Sequence, residues 1–87
     1  MNKFEIIRLL SDENRFNIFT KLIDFDGLCV SEIEGLLGIK QANASKHIRR
    51  FKDLDMLDSE RNKNMIKYRI KDSFIQEHTD LIKYLMF

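Results

Sequence analysis

Proline and tryptophan are absent from the 87 residues, and glycine occurs only three times. With so few chain breakers there is little from which to build long irregular loops, so most of the chain should be helical. A single cysteine, Cys29, excludes an internal disulfide, and two histidines leave few nitrogen or sulfur ligands for a transition metal. No apolar run approaches the ~18 residues that cross a bilayer. The opening MNKFEIIRLLSDEN mixes charges among its apolar residues and has no h-region of an export signal. The cytoplasm is therefore the expected location, with no membrane partner. Glycine-rich phosphate loops, nucleophile elbows and His-acid clusters are also missing, so neither an enzyme nor a cofactor is expected.

The length fits one domain, 1–87, near the size at which a single core is only marginally stable unless a partner covers more apolar surface. A homodimer is the expected remedy. Net charge is only +1, but it is divided along the chain. Lys40 to Lys71 holds ten Lys or Arg against four acids, a net of +6, and the remainder holds five against ten, a net of −5. A basic block confined to one contiguous third suits a face that meets a nucleic-acid duplex, while the acidic remainder limits non-specific binding. A plain solvated surface would give the same composition.

Hydrophobic spacing places a first helix on Phe4, Ile7 and Leu10, with Ile6 beside them, ending near Ser11. Ser11-Asp12 starts a second, with Phe16, Phe19, Leu22 and Ile23 at helical spacing. Asp24-Phe25-Asp26-Gly27 reads as a turn, and Leu28-Cys29-Val30 as a short apolar segment. Ser31, with Glu34 three residues on, forms the capping box that should start a third helix carrying Ile33, Leu36 and Leu37. Gly38 supplies its left-handed end and Ile39 staples the turn to the core. A fourth helix, 41 to about 54, shows Ala44, Ile48, Phe51 and Leu54 on one face.

That fourth helix carries the functional signal, because 31–54 forms a helix-turn-helix. Gln41, Ala42, Asn43, Ser45 and Lys46 open it. Glutamine and asparagine can pair bidentately with adenine, lysine donates to guanine, and the Ala42 methyl can meet a thymine methyl. Arg49 and Arg50, further along, suit phosphates. His47 lies at the edge of the apolar stripe, where a packed imidazole and a DNA contact are both consistent with its position. The chain then alternates over 56–70, with Ile66, Tyr68 and Ile70 on one face and Arg61-Asn62-Lys63-Asn64 as a polar turn. This predicts a basic β-hairpin, a wing. Phe74, His78, Leu81 and Leu85, with Ile75, Ile82 and Met86, form a broad stripe on one last helix over 73–87. The expected class is mainly α with a small β-hairpin, in the order α-α-α-α-β-β-α.

Two runs, LSDENRFNIFTKLI and LCVSEIEGLLGIKQANASKHIRRFKDLDMLDSERNKNMIKYRI, carry a resemblance. They resemble the ArsR/SmtB family of winged-helix repressors over roughly residues 9 to 70. The shared pattern is an L-S-D-x-x-R start, L-C-V, Q-x-x-x-S-[KR]-H on the recognition helix and E-R-x-x-x-x-[VI]-x-Y in the wing. The resemblance implies a cytoplasmic homodimer that binds an inverted-repeat operator in double-stranded DNA and represses transcription. Its DNA-binding positions would be Gln41, Ala42, Asn43, Ser45, Lys46 and His47, with Arg49 and Arg50 behind them and Arg61, Lys63 and Lys67 in the wing. It also implies pairing through the first and last helices, 1–10 and 73–87, with Phe4, Ile7, Phe74, His78, Leu81, Ile82 and Leu85 at the interface.

The family's sensing chemistry is where the residues depart. Arsenic and lead sensors carry C-V-C, whereas this chain reads Cys29-Val30-Ser31, and serine is a poor ligand for a soft ion. Zinc and nickel sensors use Asp and His of the last helix, where this chain offers Asp72, Glu77, His78 and Asp80 without a second histidine. No metal is expected, and a metal-responsive repressor using the last helix is one alternative. Another is a winged-helix protein-interaction module, which would be expected to lose the basic wing. RNA binding would favour exposed aromatics for base stacking.

Overall fold

The computed structural model describes residues 1–86. Four helices come first: α1 (Lys3–Leu9), α2 (Glu13–Asp24), α3 (Val30–Leu37) and α4 (Gln41–Asp53). An antiparallel hairpin of β1 (Leu57–Asn62) and β2 (Met65–Ile70) follows, then α5 (Asp72–Glu77) and α6 (Thr79–Met86). The predicted winged helix-turn-helix order is present, except that the last helix is divided.

Local chemistry sets most boundaries. The Asn2 side chain accepts the Glu5 N–H at 2.8 Å and Asp12 accepts that of Arg15 at 2.9 Å, so α1 and α2 each start on a side-chain cap. Arg15 also donates from Nε to the Leu9 carbonyl at 2.6 Å, which ties the start of α2 to the end of α1. Phe19, Phe51, Ile6, Ile18, Leu22, Ile33, Met56 and Ile70 are the largest fully buried side chains, so α1, α2, α3, α4 and β2 all reach one core. Inward on α1 are Ile6 and Leu9, followed by Leu10; Phe4 and Ile7 point to solvent.

The third helix starts at Val30 rather than after Ser31. Leu28 pairs with Tyr68 through two backbone hydrogen bonds of 2.9 and 2.8 Å, a single bridge that fixes the segment against β2. Glu32 accepts the Cys29 N–H at 3.0 Å, so the reciprocal cap forms on Cys29, and Ser31 is left exposed in the first turn. Leu54, expected in the α4 stripe, caps that helix at 39% exposure, and the fully buried Met56 takes the core position instead.

The expected single last helix breaks at His78, whose backbone (φ −120°, ψ 31°) leaves the helical region. Thr79 turns its hydroxyl back onto the carbonyls of Ile75 and Gln76, at 2.8 and 3.1 Å. Such back-bonding bends a helix. The wing turn is likewise shorter than expected: Arg61 and Asn62 belong to β1, and only Lys63-Asn64 lies between paired Asn62 and Met65. The left-handed position is Lys63 (φ 58°), not an asparagine.

Candidate nucleic-acid interface

Gly38 (φ 65°) ends α3 in the left-handed region and donates its N–H to the Glu34 carbonyl at 2.8 Å. Lys40 then enters α4 with extended backbone and no side-chain cap, and its carbonyl accepts the N–H groups of Asn43 and Ala44, both at 3.0 Å. Along α4, Ala44, His47, Ile48 and Phe51 are buried. Gln41, Ala42, Asn43, Lys46, Arg49 and Arg50 are exposed, and Ser45 is half-buried. The helix thus turns one polar face to solvent, with the adenine-, guanine- and thymine-reading chemistries on its first turns and the guanidinium groups on its later ones.

His47 does not belong to that face. It is 9% exposed and sits on the inward stripe 44, 47, 48, 51, a spacing that was available in the sequence as i, i+3, i+4, i+7. Burial lowers its pKa below the ordinary 6.5, opposed by the charge of Asp12 and supported by Arg15, Lys46 and Arg50. A neutral, packed imidazole is the result.

The cations of the basic block divide into two sets. Among the described residues, Lys40, Lys46, Arg49, Arg50, Arg61 and Lys63 enter no ion pair, and Lys52 lies over the Tyr68 ring at 5.8 Å. The others are matched. Lys67 faces Glu32 at 3.6 Å, Arg69 faces Asp72 at 2.9 Å and Asp26 at 3.5 Å, and Lys71 meets Asp55 at 2.6 Å. Strand register explains the division. Arg61 is paired with Ile66 on the face that carries Tyr68 and Ile70, whereas Lys67 and Arg69 lie on the other face opposite Glu60 and Asp58. Lys67 is therefore not beside Arg61, as the sequence reading grouped them. The wing's uncompensated charge is concentrated at its tip.

The expected pairing surface is also split. Phe74, His78 and Ile82 are buried in the protomer's own core, with Phe74 edge-on to Phe19 at 6.2 Å and tilted against His78 at 4.6 Å. These three are not surface residues of the protomer. Phe4 and Ile7 are 71% and 58% exposed, and half-buried Leu81 and Leu85 line a cavity of about 200 Å³ with Ile6, Ile7, Leu10 and Phe16. Tyr84, 84% exposed on α6, extends this α1–α6 surface and was not singled out in the sequence, because it falls off the apolar stripe.

Cys29 is a buried free thiol, and no group of three or more His, Cys, Asp or Glu converges on a metal-sized site among the described residues. The His78 Nε2 has no hydrogen-bond partner among the described residues, with Glu77 Oε2 at 4.0 Å. No described helix is long and apolar enough to cross a membrane.

No family model matches the chain. Over 65 residues, 75% of its length, it is 35% identical to the cadmium resistance transcriptional regulatory protein CadC of Listeria innocua. The chain spans about half of that relative, 55% of its length. Among solved structures, the antimony-specific transcriptional repressor AntR superposes with a TM-score of 0.71 at 28% identity, covering 94% of this chain and 77% of AntR. The chain is thus similar to regulators of the kind its motifs resemble, those of the ArsR/SmtB family. The same winged-helix fold recurs in Mb0332 of Mycobacterium bovis, described as a homodimeric winged helix-turn-helix DNA-binding domain, with a TM-score of 0.74 at 19% identity over 90% of this chain and 71% of that one. In this winged helix-turn-helix fold, α3 and α4 are the helix-turn-helix and β1–β2 is the wing.

Proposed function

We propose that this chain is a sequence-specific double-stranded DNA-binding transcriptional regulator of the cytoplasm, acting as a homodimeric repressor on an inverted-repeat operator. One observation carries the reading: the base-reading side chains of α4 and the cations without ion pairs occur together, on the outward face of one helix and the tip of one hairpin. In this reading Gln41, Ala42, Asn43, Ser45 and Lys46 meet base edges in the major groove, while Arg49, Arg50, Arg61 and Lys63 meet phosphates. Half-sites of an inverted repeat lie about one duplex turn apart, ~34–36 Å, and the reading requires pairing through α1 and α6 to set the two recognition helices at that spacing.

Titration of the promoter DNA beside the chain's own gene tests this. Four phosphate contacts per protomer give a log affinity against log salt slope of about −7 for the dimer. Gln41→Ala or Ser45→Ala should cost about 1–3 kcal/mol per half-site on the operator and almost nothing on random duplex. Binding that ignores salt, or equal losses on every duplex, would remove the proposal.

The descriptions of CadC and AntR favour a second reading in which a soft ion releases the operator. This chain would bring Cys29 at the head of α3 and His78 with Glu77 and Asp80 at the α5–α6 break. Against that reading, stoichiometric cadmium, zinc or arsenite is expected to change operator affinity by less than about tenfold.

A further inference from the structure

The Glu32 carboxylate lies at a junction. Its Oε1 accepts the Cys29 backbone N–H at 3.0 Å and stands 3.6 Å from the Lys67 ammonium on β2. The lysine stem crosses Gly27: a methyl group added there would meet Lys67 Cβ and Cδ at 3.6 and 3.7 Å, ordinary van der Waals contact. One residue further along each segment, Leu28 and Tyr68 exchange two backbone hydrogen bonds. Consecutive residues of β2, 67 and 68, are thus held by residues 27, 28 and 32, which lead into and begin the first helix of the helix-turn-helix. These contacts all act on one edge of the hairpin, while the cations Arg61 and Lys63 lie at its far end.

We propose that Glu32 and Lys67 form a clamp that fixes the angle of the wing to the recognition helix, making them positioning residues rather than DNA contacts. This rests on the DNA-binding reading above only for its consequence, not for its geometry. The Leu28–Tyr68 bridge and the Arg69–Asp26 pair tie β2 to the segment before α3, and buried Tyr68 and Ile70 seat it on the core; Glu32–Lys67 is the side-chain tether that reaches α3 itself. The side-chain directions agree. Lys67 lies on the face opposite Arg61, so its charge is spent within the protomer and leaves the wing tip as the part that reaches a phosphate. The anchoring of Glu32 by the Cys29 N–H strengthens the clamp, because the carboxylate is already held before Lys67 meets it.

The test uses Glu32→Gln, which keeps an acceptor for Cys29, Lys67→Met, which keeps the stem, and the double variant. Residual dipolar couplings of the amides of 57–70 relative to those of 41–53, in the DNA-free protein, should shift in the same sense in all three, with the double variant no further than either single. Operator affinity should fall about fivefold per dimer in each, the scale of two exposed ion pairs, with the salt slope unchanged. If Lys67→Met instead lowers the slope by about one per protomer while the couplings stay fixed, Lys67 is a phosphate contact and the clamp is wrong. Unchanged couplings in every variant also overturn it. If the wild-type chain binds no duplex, the DNA-binding reading fails while the couplings still decide the clamp.

Discussion

Lys63 occupies a backbone conformation that suits it poorly. At φ 58° a side-chain Cβ crowds the following carbonyl, a strain of about 1–2 kcal/mol that glycine escapes. The extra unfolded-state freedom of glycine offsets part of that gain, so Lys63→Gly should stabilise the protomer by about 0.5 kcal/mol. The same change should weaken every duplex alike and lower the salt slope by about one per protomer, because the lost charge is a tip cation. Urea melts and salt titrations on one preparation check both; a variant less stable than wild type would show that the turn does not store the strain. His47 offers a prediction of a different kind. Its pKa is depressed on folding, chiefly by burial, so the unfolded chain takes up a proton first as pH falls below 6.5. The contribution of His47 is therefore fully present above that value and is lost as pH falls through the lower folded pKa. Asp12, also depressed, acts separately below its ordinary 3.8. In His47→Gln the stability decline between pH 7 and the folded His47 pKa should flatten relative to wild type, as read by urea midpoints, leaving the more acidic decline in place.

Two glycines in one helix separate the causes that placed them there. Gly38 is left-handed and any side chain there is strained, whereas Gly35 lies within α3, with helical backbone and nothing within 4 Å of an added Cβ. Gly38→Ala should therefore destabilise by about 1 kcal/mol and Gly35→Ala stabilise by about the same amount, giving thermal shifts of opposite sign three residues apart. Only Gly38 was predictable, because a helix end states its requirement locally. The same division holds elsewhere. The wing, the α4 face and the second helix were legible, since a period of 2 or 3.6 and a capping aspartate are local signals. The start of α3 was not, because it depends on Leu28 pairing with Tyr68, forty residues away. The break at His78 was missed for a subtler reason: the apolar stripe runs straight through it, and only the Thr79 hydroxyl bond marks the bend. On α1 the apolar residues Phe4, Ile6, Ile7, Leu9 and Leu10 surround most of the helix, so periodicity alone could not decide which of them face the core.

That surplus of apolar surface on α1 matters at the scale of the molecule. The protomer encloses its core with Ile6 and Leu9, yet leaves Phe4 and Ile7 exposed on α1 and Tyr84 on α6, with Ile7 at the cavity that Leu81 and Leu85 line. A domain of this size gains much from covering such a patch, and a second copy presents the same patch in return. The α4 face and wing tip carry the unpaired cations, and the proposed function requires a dimer formed through α1 and α6 to bring two such surfaces onto one duplex. Ile7→Glu tests this arrangement without touching either the core or the DNA face. At 58% exposure Ile7 contributes little to the protomer interior, so the far-ultraviolet circular dichroism of the variant should match wild type. Sedimentation equilibrium should find it monomeric at concentrations where wild type is dimeric. Affinity for a full inverted repeat should drop by about a hundredfold, because the second half-site is no longer tethered, while affinity for an isolated half-site stays level. A variant that remains dimeric would place the pairing surface elsewhere, and one that loses half-site binding as well would mean that the α1 face and the DNA-reading face are not independent.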